Sequence, residues 1–135
     1  MSKVKTLTLI SVFLCFSICV KSQHHLGENL NYLKWIYPNG KESIMKDGKH
    51  CFNVENKDEI RIYYFNDSFI CNTSIITPYD SERLKSWISL LNENYTEIDF
   101  NTWRQIVKNG KTIECKLDLI ISQIHPSLCF VFTNP

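Results

Sequence analysis

The segment that most constrains this chain is its first twenty-two residues, because they set where the remainder folds and what its cysteines can do. Lys3 and Lys5 precede an uncharged run from Thr6 to Val20, rich in Leu, Ile, Val and Phe, and Val20-Lys21-Ser22 follows. Basic, apolar, then small is the order of a secretory signal peptide, and it predicts cleavage before Gln23. The run is about fifteen residues long, short of the ~20 that span a bilayer. The best later apolar stretch, Leu117 to Ile121, is broken by Asp118. The sequence therefore predicts residues 1–22 as a removed signal and 23–135 as a single secreted domain with no membrane span.

Removal of Lys3, Lys5 and Lys21 leaves twelve Lys and Arg against fourteen Asp and Glu, a net charge of −2 where the full chain carries +1. The basic residues that remain are scattered. A nucleic-acid binder carries a basic footprint, so this class is set aside.

Cys15 and Cys19 leave with the signal, and Cys51, Cys71, Cys115 and Cys129 stay. Four cysteines in an exported chain read as two disulfides with three possible connectivities. Their wide spacing does not match the close pairs that bind zinc. Local pairing, Cys51 with Cys71 and Cys115 with Cys129, would close two modest loops, each adding about 3 kcal/mol in the chain-entropy picture. Asn66-Asp67-Ser68, Asn72-Thr73-Ser74 and Asn94-Tyr95-Thr96 are N-glycosylation sequons and so candidate surface markers. Asn66 and Asn72 lie close enough for one glycan to hinder the other.

No low-complexity tract, linker or internal repeat stands out, and His24 to Gly27 reads as a loose leader. Strand signals with turn punctuation follow. Tyr32 to Tyr37 reads as an aromatic strand ending at the Pro38-Asn39-Gly40 turn, with Trp35 in the core. Ser43 to Met45, His50 to Val54, Glu59 to Phe65 and Phe69 to Ile76 read as further strands. Ile60, Ile62 and Tyr64 share one face of the third of these. In the last, Cys71, Thr73 and Ile75 are expected inside, with Asn72, Ser74 and Ile76 outside. Asp80 or Ser81 caps a predicted helix through Asn92, whose Leu84, Trp87, Ile88 and Leu91 form one apolar stripe. Trp103 to Lys108 leads into the Asn109-Gly110 hairpin signal. Ile113, Cys115, Leu117, Leu119 and Ile121 then alternate inward, and Leu128 to Phe132 reads as a central strand. The fold class expected is mainly β, sandwich-like antiparallel sheets with one amphipathic helix over about 80–92 and two disulfides.

Catalytic signals are sparse. None of the hydrolase, zinc-protease, phosphate-loop or EF-hand motifs is present. A nuclease-like hydrolase would need two imidazoles and a cation, for which His50, His125 and Lys116 are the candidates. Glu97 and Asp99 lie on one side of an extended segment and could serve as a carboxylate pair, though a solvated strand face accounts for them. His24-His25 could hold a metal only weakly, and no cofactor or metal site is expected. Tyr32, Trp35, Tyr37, Tyr63, Tyr64 and Phe65 concentrate aromatic surface of the kind that fills small β cores or forms binding hot spots.

Tyr32-Leu33-Lys34-Trp35-Ile36-Tyr37-Pro38-Asn39-Gly40 resembles the W-hydrophobic-Y-P-x-G signature of the meteorin family of secreted signalling proteins. Lys49-His50-Cys51-Phe52, the strand from Ile60 to Phe65, and Cys71 extend the resemblance over residues 30–72. It implies a relative of that family's N-terminal β domain with a cytokine-like role. The function expected is a secreted binding, signalling or effector protein acting on an extracellular or cell-surface protein, and not an enzyme. The alternatives are the small hydrolase using His50 and His125, and a lipid or small-molecule carrier with a cavity lined by Trp87, Ile88 and Leu91.

Overall fold

Among the described residues eight strands make one antiparallel sheet, and two helices lie on one of its faces. The structure is a computed structural model that describes residues 24–107, 110–121 and 126–134. The signal segment, Asn109 and His125 lie outside the described residues.

The first element is helix α1, Leu30–Ile36, where the sequence predicts a strand. Asn29 caps it, its Oδ1 accepting from Asn31 N at 2.7 Å. Leu30 and Leu33, three apart, turn inward and are buried. The helix stops at Tyr37 (φ −122°, ψ 76°) because the residue before a proline is driven out of the α region. Helical geometry carries Trp35 to the outer side, where it is 77% exposed rather than in the core.

Strands β1 (Lys41–Ile44), β2 (His50–Glu55), β3 (Glu59–Phe65) and β4 (Cys71–Pro78) then form a four-stranded meander. Helix α2, Ser81–Asn94, follows, capped by Asp80 Oδ1 accepting from Arg83 N at 2.8 Å. A second meander comes from β5 (Thr96–Asp99), β6 (Thr102–Ile106), β7 (Thr112–Ile121) and β8 (Pro126–Thr133). The strand order is β1-β2-β3-β4-β8-β7-β6-β5. The fold is thus a helix and four strands, repeated, with the two halves joined at β4–β8. The sequence shows no trace of this repeat.

A sandwich is not formed, since both meanders belong to one sheet. Its helix-side face carries two apolar clusters. Ile76, Trp103, Phe130 and Phe132 pack under Trp87 and Leu91 of α2. Phe52, Tyr63, Phe65 and Cys71 pack under Leu30 and Leu33 of α1. Leu26 touches both clusters, so the expected loose leader is instead a packed strap. Backbone bonds Gly27 N to Cys71 O and Cys71 N to Glu28 O, each 2.8 Å, fasten it to β4.

A bulge resets the parity of β4. Tyr64 pairs with Thr73 but Phe65 pairs with Cys71, so Asn72 is the extra residue. Cys71, Ser74 and Ile76 are consequently buried on the helix side, and Thr73 and Ile75 are only half-buried. This corrects the expected alternation at Ser74, Ile75 and Ile76. On β3 the buried positions are Glu59, Arg61, Tyr63 and Phe65, while Ile60, Ile62 and Tyr64 are half-buried.

The four cysteines among the described residues, Cys51, Cys71, Cys115 and Cys129, are buried free thiols. Cys51 lies on β2 and Cys71 on β4, with β3 between them. Two inter-strand spacings are about 9.6 Å, beyond the ~7 Å Cα limit for a disulfide. Cys115 pairs with Phe132 and Cys129 with Asp118, so the two sit on opposite faces of the β7–β8 ladder. The local pairing expected from loop length is not formed in this arrangement.

Candidate functional site

The most distinctive side-chain arrangement begins beneath α2 and ends at the strap beside α1. At its root is Glu59, completely buried on β3. Its Oε2 accepts from Arg61 Nε at 2.5 Å, and its Oε1 accepts from Arg83 Nε at 2.5 Å and from the Trp87 indole at 2.8 Å. Burial alone would raise the carboxyl's pKa. The Arg61 charge and the three donors outweigh that and hold it below the usual carboxylate range. Arg61 Nη1 also donates to the Tyr37 hydroxyl at 3.3 Å.

Tyr37 Oη lies 2.8 Å from His25 Nε2, and His25 Nδ1 lies 2.8 Å from Glu28 Oε2. Nδ1–H donates to the Glu28 carboxylate. Burial pushes the His25 pKa down, partly opposed by Glu28. The chain Arg61 to Tyr37 to His25 to Glu28 ties the C-terminal end of α1 to β3 and to the strap. The network fixes the helix and exposes no reacting group.

The outer side of α1 presents Trp35 and Tyr32, their ring centroids 6.2 Å apart and tilted by 33°. Beside them Lys34 pairs with Glu42 on β1. Glu42 Oε1 accepts from His50 Nδ1 at 2.7 Å. The His50 ring meets Phe69 edge-on at 5.1 Å. The hydrogen bonds from Lys34 and then His50 hold the Glu42 carboxyl below its ordinary pKa. Phe69 is 45% exposed with φ +61°. A bulky residue in the left-handed region costs on the order of 1–3 kcal/mol. Asn66 holds it there: Asn66 O accepts from Phe69 N at 2.9 Å, and Asn66 Oδ1 accepts from Ile70 N at 3.0 Å. The surface is therefore an aromatic display, Tyr32, Trp35 and Phe69, around a polar row from Lys34 to His50.

The expected site residues fall elsewhere or apart. His50 belongs to the row just described, and its proposed partner His125 lies outside the described residues. Lys116 is exposed on β7. Glu97 and Asp99 are exposed on the edge strand β5, with a bulge between them. Among the described residues no group of three or more His, Cys, Asp or Glu could hold a metal. Trp87 and Leu91 are buried in one cluster with Phe130 and Phe132, and Ile88 packs against it, so the three contribute to the core. Burial pushes the thiols of Cys71 and Cys129 up to about 11, and that of Cys115 higher still. Asn66 and Asn72 are exposed, and Asn94 is half-buried with its amide nitrogen donating to Leu90 O at 2.9 Å. Sequence reasoning missed Glu59, Arg61, Arg83 and Phe69. A charge on every second residue of an apolar strand, as at Glu59 and Arg61, was the signal available.

No protein-family profile, curated protein or solved structure matches this chain, and the meteorin resemblance gains no support from these comparisons.

Proposed function

We propose that this is an exported protein that binds an extracellular or cell-surface protein through the aromatic surface of α1. The observation that carries the reading is the exposure of Trp35 beside Tyr32 on a helix whose opposite side is fixed to the sheet. Trp and Tyr dominate binding hot spots, and their rigid rings lose little entropy on contact. The strained Phe69 enlarges the same surface. The signal pattern and the exposed sequon residues Asn66 and Asn72 support an extracellular setting.

The test uses the purified 23–135 protein immobilised against the extracellular and cell-surface fraction of its host. Wild type is expected to retain a partner that the Tyr32→Ala/Trp35→Ala variant loses by at least tenfold, with circular dichroism unchanged. Retention by the variant equal to wild type rejects this surface.

A further inference from the structure

The two halves of the sheet part company at one end. The β4–β8 ladder runs from Thr73–Thr133 to Ile76–Phe130 and goes no further. Beyond it β4 stays with β3 as far as the Glu59–Pro78 pair, and β8 stays with β7 through Leu119–Leu128 and beyond. The fork leaves a crevice of about 520 Å³ roofed by the first turn of α2. Ligand sites commonly measure about 300–1,000 Å³.

Its walls are apolar. Leu119 and Leu128 form a cross-strand pair on the same face as Phe130 and Phe132, but α2 ends before reaching them. They remain 52% and 44% exposed where Phe130 and Phe132 are buried. Leu84, Ile60, Pro78 and the Tyr79 ring complete the apolar lining. Thr77, Ser81 and Ser127 add hydroxyls, and among the described residues Asp80 is the one charged residue lining the space. Asp80 spends one oxygen, Oδ1, on the helix cap.

We propose that this fork is a binding site for a small amphiphile with an aliphatic body and a cationic amine head. The body replaces water on the Leu84, Leu119 and Leu128 side chains, and removing that apolar surface from water favours binding. The ammonium faces the Asp80 carboxylate. A fatty acid would instead set its carboxylate against that of Asp80.

The test is displacement of the neutral fluorophore N-phenyl-1-naphthylamine from the 23–135 protein by dodecylamine, dodecanol and dodecanoate, each below its micelle concentration. The alkyl chain is constant and only the head changes. Dodecylamine is expected to compete at about fivefold lower concentration than dodecanol, the scale of a partly screened ion pair, with dodecanoate weakest. Asp80→Asn keeps the helix cap, since Asn caps as well as Asp. It is expected to bring the amine-to-alcohol ratio to one while leaving fluorophore binding unchanged. Leu128→Gln, at a half-exposed position, is expected to abolish fluorophore binding with the thermal midpoint retained. Absence of fluorophore binding by wild type, dodecanoate competing best, or an unchanged ratio in Asp80→Asn overturns the proposal.

Discussion

At the residue scale the decisive group is Glu59. Two guanidinium groups and an indole converge on one buried carboxylate. Removing one partner of a buried ion pair strands the others, at about 3–5 kcal/mol. Glu59→Gln is accordingly expected to lower unfolding stability by about 3 kcal/mol in urea titration. A loss under about 1 kcal/mol would mean that the arginines find equivalent partners. His24 makes a second prediction. Its ring stacks on Phe132 at 5.8 Å, and its Nδ1 accepts from Leu26 N at 3.1 Å. Burial, helped by neighbouring His25, pushes its pKa down from 6.5 to about 4. The unfolded chain takes up its proton first as pH falls. Stability is therefore unaffected above about pH 6.5, falls between 6.5 and 4, and levels off below. Glu59 acts only at the acid end of this window, because its contribution is lost as pH falls through the carboxylate range. Urea midpoints at pH 7, 6 and 5 should decline in wild type and decline less in His24→Gln, the remaining slope belonging to His25, whose pKa burial also lowers. An equal decline in both would place the titrating group elsewhere.

At the element scale, the turn between α1 and β1 shows how tightly the first half is fitted. A Cβ at Gly40 would lie 2.1 Å from the Phe52 ring, which is itself buried under α1. Gly40→Ala must push Phe52 aside and is expected to cost about 1–3 kcal/mol of stability; a thermal midpoint within 1 °C of wild type would show that the ring moves freely. Elements with strong periodicity were legible in the sequence. Glu59 to Phe65 is the observed β3, the Leu84–Trp87–Ile88–Leu91 stripe faces the sheet, and Ile113 and Cys115 point inward. Helix α1 was not legible, because its aromatic residues at 32, 35 and 37 match strand propensity. What decides its form is the Asn29 cap and the Leu30–Leu33 spacing, both weak signals in seven residues. The Asn72 bulge was equally hidden, since one inserted residue leaves no mark on composition yet inverts every later position of β4. The aromatic surface was visible only as residue types. Its outward direction follows from α1 being a helix, so that error propagated from element to site.

At the scale of the whole molecule, the two halves meet along four β4–β8 pairs, through Leu26, and through the Arg83 and Trp87 bonds from α2 to Glu59 on β3. This topology also decides the cysteines. Two short loops would let Cys51 meet Cys71 and Cys115 meet Cys129, but the meander inserts β3 between the first pair and turns the second pair to opposite faces. Joining Cys51 to Cys71 would require β3 to leave its place between β2 and β4. With it would go Glu59, Arg61, Tyr63 and Phe65, which carry the ion network and much of the α1 cluster. Neither local disulfide is formed in this sheet order, and burial raises the pKa of the Cys71, Cys115 and Cys129 thiols, which keeps those three protonated and unreactive. Intact mass after N-ethylmaleimide treatment of the 23–135 protein should show no adduct within minutes under native conditions. Four adducts should appear in guanidinium, one each at Cys51, Cys71, Cys115 and Cys129. Two oxidised pairs in guanidinium, with no adduct, would mean that the strand order around β3 differs from the one described here.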